Sequence, residues 1–114
     1  MAHDLVDSIM ELSDRVRYVA LLRGGELVTR ARGGRANASS SESDRYEELI
    51  VNPTLLTLLT QRGNIDCGGL RHVIIRYGSF FQLVLPIEGG HLSVCLEAEA
   101  DPVRLEAEIE TLLG

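Results

Sequence analysis

The chain has 114 residues, enough for one hydrophobic core and too few for two, so a single domain over 1–114 is expected. Apolar residues make up 45% of it and charged residues 25%, the balance of a globular fold, while 17 acids against 11 bases leave a net charge of −6 that argues against a nucleic-acid partner. No apolar run is long enough to cross a bilayer, the first residues lack the positive start of a secretory signal, and two cysteines are too few for a disulfide framework; a cytosolic protein without a membrane partner is expected.

Residues 4–15 read as a helix, with Leu5, Ile9, Leu12 and Val16 on one stripe and Asp4 and Asp7 in the first turn, where the helix dipole favours negative charge. Residues 16–23 change period and are apolar on both faces, the pattern of a strand covered on both sides. Gly24-Gly25 fits a tight hairpin turn, and 27–32 forms the return strand. Residues 33–43, rich in glycine and serine, form a flexible connection. Asp44 and Glu47 match a capping box that opens a second helix. Proline lacks an amide hydrogen and clashes with the preceding turn, so Asn52-Pro53 predicts a break and restart, with Asn52 as cap, Pro53 as first residue and Gly63 as the closing glycine. Leu55, Leu56, Leu58 and Leu59 occupy more than one face of this helix, more apolar surface than one sheet contact needs.

Three strands follow, 70–77, 80–87 and 91–99, joined by Gly78-Ser79 and Gly89-Gly90. In the last, Leu92, Val94, Leu96 and Ala98 alternate with His91, Ser93, Cys95 and Glu97. Asp101-Pro102 caps a final helix whose buried stripe is Leu105, Ile109 and Leu112. The order α-β-β-α-β-β-β-α, with short glycine turns inside each strand group, predicts an α+β fold built on an antiparallel sheet with helices covering it.

The residues offer little chemistry. His72 and His91 with Cys67 or Cys95 match no zinc spacing, and they read as a histidine at a strand surface and another at a strand start. Cys67 stands beside Asp66, which disfavours a thiolate, and Cys95 reads as a small apolar filler. The glycines of 63–69 follow a helix and precede a strand, the reverse of a phosphate-binding loop. No catalytic residue, cofactor or metal ligand is therefore expected. Residues 15–35 hold six arginines and one acid, and 88–114 hold seven acids and one arginine. Either Arg23, Arg30 and Arg32 present a basic patch to a partner, or the two segments neutralise each other within the chain.

The element order and length over essentially the whole chain resemble the roadblock / dynein light-chain family; Asn52-Pro53-Thr54-Leu55-Leu56, Arg62 to Gly69 and Gly89-Gly90-His91 are the chain's distinctive stretches, matched to no functional position of that family. That resemblance implies a profilin-like five-stranded sheet in the order 2-1-5-4-3, the terminal helices on one face and the middle helix on the other. It also implies a non-catalytic protein-interaction module of a family that forms homodimers or heterodimers and often scaffolds or regulates small Ras-like GTPases; a homodimer is expected here. In such a fold the 70–77 strand is a sheet edge, so its pairing with a second copy would place Leu55, Leu56, Leu59, His72, Ile74 and Arg76 at a dimer interface. PAS sensors and longin domains share a similar strand–helix–strand order, which keeps a PAS-like small-ligand sensor as the alternative.

Overall fold

The structure, a computed structural model, describes residues 2–114. Five strands, β1 (Val16–Arg23), β2 (Glu26–Ala31), β3 (Val73–Arg76), β4 (Phe80–Ile87) and β5 (Gly90–Glu97), form one antiparallel sheet in the order β2-β1-β5-β4-β3. This is the sheet of the roadblock fold, with the α-β-β-α-β-β-β-α layout. Helices α1 (Ala2–Met10) and α4 (Pro102–Leu113) cover one face. The opposite face lies under α2 (Ser41–Tyr46), a π-helical turn (Glu47–Val51) and α3 (Asn52–Asp66), which run on as one helix.

The α1/α4 face carries the apolar core. Val19, Leu21, Leu83, Leu85, Leu92, Val94 and Leu96 point into it from alternate strand positions and meet Val6, Ile9, Leu105 and Ile109. The other face is polar at its centre: Gln82, His91 and Ser93 are all buried there. A bulge between Val16 and Tyr18 leaves Arg17 as the extra residue of β1, and its guanidinium lies 5.3 Å over the Phe80 ring.

Gly90 sits where β5 crosses β1 so closely that a Cβ would fall 1.7 Å from the Leu22 carbonyl oxygen, so the position demands glycine. In the first hairpin Gly24 and Gly25 both take positive φ, as expected of that turn.

Several boundaries differ from expectation. The first helix stops at Met10, so Leu5 and Leu12 are only half-buried while Val6, Ile9 and Met10 make the contact. The Arg32 side chain ends the helix by donating to the carbonyls of Met10 (2.7 Å), Ser13 (3.2 Å) and Val16 (2.8 Å). The second helix starts at Ser41, not Asp44, because the Ser40 hydroxyl accepts from the Ser43 amide at 3.1 Å. Asp44 instead accepts a 2.5 Å bond from Ser39.

The expected break at Asn52-Pro53 is absent. Asn52 keeps helical angles, and its amide bonds back five residues to the Glu47 carbonyl. The wider turn admits the proline ring without ending the helix. Gly63 does not close α3, which continues to Asp66; a Cβ there would meet the Gly69 carbonyl carbon at 3.1 Å and the Leu70 nitrogen at 3.2 Å. Residues 70–72 stay out of the sheet, and β3 is four residues long. At the far end Leu112 is 41% exposed rather than buried.

Candidate functional site

Two surfaces and one buried centre stand out. The first surface joins an open strand edge to an exposed apolar helix. In the sheet order β3 pairs with β4 on one side only. On α3, Leu56 packs down with 8% exposure, whereas Leu58 is 62% and Ile65 75% exposed; Tyr46 and Ile50 add to the bare apolar area at 61% and 53%.

The expected interface residues divide between the two faces of the sheet. Leu55 and Leu59 are half-buried on α3, and Leu56 is turned inward. His72, Ile74 and Arg76 alternate onto the α4 side: Ile74 packs on the apolar core, Arg76 lies 5.1 Å over the Phe81 ring, and His72 meets Glu106. The residues of β3 on the α3 side are Val73 and Ile75. The edge backbone is common to both sets, but the two groups of side chains form no single patch. Of the helix leucines, Leu58 is the one that turns fully outward, which the sequence could not assign without the helix rotation; Ile65 was not singled out.

The expected basic patch is mostly engaged within the chain. Arg32 closes α1, and Arg30 pairs with Asp7 at 2.7 Å. Arg17 and Arg35 both reach Glu97, at 3.7 and 3.3 Å, and Arg15 reaches Glu99 at 3.5 Å. These pairs favour mutual neutralisation of the basic and acidic segments. Arg23 stays exposed at the end of β1.

The buried centre lies beneath the π-turn. Glu48 is fully buried and its Oε1 lies 2.8 Å from Nε2 of His91, itself 2% exposed; the Asn52 amide donates to the same oxygen at 3.0 Å. His91 stands near the start of β5, as expected, but buried and paired. Beside it Gln82 donates to the Ser93 hydroxyl at 2.6 Å, and the Cys95 thiol lies 3.7 Å from the Gln82 carbonyl oxygen. Burial, with the nearby Glu48 carboxylate, pushes the Cys95 thiol and the Tyr18 phenol well up. The helical spacing Glu48, Asn52, Leu56 was the available signal: the two polar residues continue the stripe that Leu56 and Gly63 bury.

Next to this centre an open cleft of about 390 Å³ lies between α2 and the sheet, walled by Tyr18, Tyr46, Tyr77, Phe80, Glu47 and Gln82. Burial and the Glu47 carboxylate, which accepts from the Tyr77 hydroxyl at 3.0 Å, push that phenol up to about 12.

The second surface joins the start of β3 to α4. His72 Nδ1 lies 3.2 Å from Glu106 Oε2, and Glu110 receives Arg71 at 2.7 Å. Burial, and then Glu110, raises the Glu106 carboxyl to about 7. His72, Glu106 and Glu110 are the one group among the described residues with the composition and spacing to hold a metal ion; Cys67, Cys95 and His91 do not join it. Cys67 is exposed, and its thiol donates to Asp66 at 3.4 Å. The Arg62 guanidinium holds that carboxyl below its usual range, so a negative charge faces the sulfur. No helix among the described residues is long and apolar enough to cross a membrane.

No family's sequence pattern matches the chain, and no curated protein matches it. Its fold is similar to solved structures. A roadblock/LC7 domain from Streptomyces avermitilis superposes with a TM-score of 0.72 at 20% identity, covering 95% of this chain and 88% of that one. MglC from Myxococcus xanthus superposes with a TM-score of 0.58 at 12% identity, covering 97% and 92%.

Proposed function

We propose that this roadblock-type fold serves as a non-catalytic, cytoplasmic interaction module of a single domain. It pairs with a second copy through β3 and the α2–α3 surface, and it scaffolds or regulates a protein partner, a small Ras-like GTPase. The observation that carries the reading is the unpaired β3 edge in the same molecule as the bare apolar residues Leu58 and Ile65. An open edge supplies backbone donors and acceptors, and an adjacent apolar helix supplies area; two copies about a twofold axis satisfy both. The likeness to a roadblock/LC7 domain supports it.

The partner is tested by titrating purified Ras-like GTPases of the same genome, loaded with GDP or a GTP analogue, against the fluorescently labelled protein. Saturable binding that depends on the nucleotide supports regulation of a GTPase. No binding in either state removes the GTPase and leaves the self-association to be judged by mass.

A second reading, a small-ligand sensor, is favoured by the cleft between α2 and the sheet. Its size suits a small metabolite, and it carries polar groups among aromatic walls. A thermal shift against a metabolite library, lost in Tyr77→Ala, would support that reading over the first.

A further inference from the structure

We propose that His72, Glu106 and Glu110 form a site for a divalent first-row transition ion, with zinc as the ion of reference. The residues come from two elements: His72 stands one residue before β3, and Glu106 and Glu110 are one turn apart on α4. Their ligand atoms all lie within 4.8 Å of one another.

The contact between His72 Nδ1 and Glu106 Oε2 decides the matter. The atoms are 3.2 Å apart and buried, facing each other outside hydrogen-bond geometry and with no other hydrogen-bond partner for either atom. Glu106 is 5% exposed, so its carboxyl is removed from water with only the His72 imidazole and the Glu110 carboxyl to face it. Two ligands on one tetrahedral zinc, with bonds of about 2.0–2.1 Å, stand about 3.3–3.4 Å apart. The observed separation is close to that of two atoms sharing a cation.

Glu110 completes the set. Its side chain is 36% exposed and is held by the exposed Arg71, so it can turn inward once the guanidinium releases it. One imidazole nitrogen selects against calcium and magnesium, which take oxygen ligands. Two carboxylates with no thiolate select against the softest ions. Three protein ligands leave a fourth position for water.

The test is a zinc titration of the purified chain against a chromophoric chelator. A His3→Ala background removes a second exposed imidazole. One zinc per chain is expected, weakened at least about tenfold by His72→Ala and by Glu106→Gln. Glu110→Ala alters a half-buried group at the rim of α4 outside the apolar core, so it must weaken zinc as well. Arg71→Ala removes the competing cation and must tighten it. Zinc must also shift the imidazole resonances of His72 and leave those of His91 in place. Absence of binding, or zinc held equally by wild type and Glu110→Ala, overturns the proposal.

Discussion

His91→Ala removes the imidazole from a carboxyl that has no access to water: Glu48 is 0% and His91 2% exposed. Glu48 Oε1 then keeps only the Asn52 amide at 3.0 Å. Breaking a buried pair from one side costs about 3–5 kcal/mol, because the surviving group stays buried without compensation. The adjoining groove, lined by Leu22, Leu56 and Pro86, admits some water and places the cost toward the lower end of that range. Against a total stability of about 5–15 kcal/mol, a loss of about 3 kcal/mol is severe. At about 4 °C per kcal/mol it lowers Tm by about 12 °C. Replacing both partners, in Glu48→Leu/His91→Leu, removes the unpaired group and recovers most of the loss. Urea unfolding of wild type, Glu48→Leu, His91→Leu and the double variant, followed by circular dichroism, measures the coupling. A His91→Ala protein within about 0.5 kcal/mol of wild type, or strictly additive changes in the cycle, would refute the pairing.

Gly90→Ala forces a Cβ to 1.7 Å from the Leu22 carbonyl and should cost about 3 kcal/mol or more in thermal unfolding, whereas Gly78→Ala, with open space around it, should stay within about 0.5 kcal/mol. Arg32→Leu strips three carbonyl contacts from the end of α1 and should cost about 1–3 kcal/mol with faster amide exchange near Met10 and Ser13, while Arg30→Ala loses only an exposed pair and should cost less than about 1 kcal/mol. A disulfide reagent should titrate one thiol of the native protein, the exposed Cys67. The second, Cys95, is buried and held as the neutral thiol, and should react only after unfolding.

The strands were legible because their information is local: glycine turns and alternating apolar residues mark each one. Their order in the sheet was expected from the family resemblance, since short links fix only the neighbours within each strand group. The middle helix was not legible in the same way. Proline forbids an ordinary helical hydrogen bond, but a π-turn satisfies the same constraint without a break, and single-residue preferences do not distinguish the two. That choice of turn rotates Glu48 inward to meet His91, from 43 residues away, so the buried centre follows from tertiary contact. The same holds for Glu106, which reads as one acid among several on α4 until His72 is placed against it. For the arginines of 15–35 the sequence left a partner patch and neutralisation by the 88–114 acids open, because only the folded sheet brings Arg15, Arg17 and Arg35 to Glu97 and Glu99.

Self-association through β3 and the α2–α3 surface is the central claim, and the molar mass in solution tests it most directly. Light scattering after size exclusion at micromolar concentration should give twice the 12.5 kDa of one chain. Leu58→Glu is the diagnostic variant, since Leu58 is 62% exposed and its replacement leaves the chain's own core untouched, unlike Leu56 at 8%. A carboxylate there, doubled across a twofold axis, should bring the mass down to one chain without lowering Tm beyond what dissociation itself explains. A wild-type mass of 12.5 kDa, or a Leu58→Glu protein that keeps the doubled mass, would contradict the account.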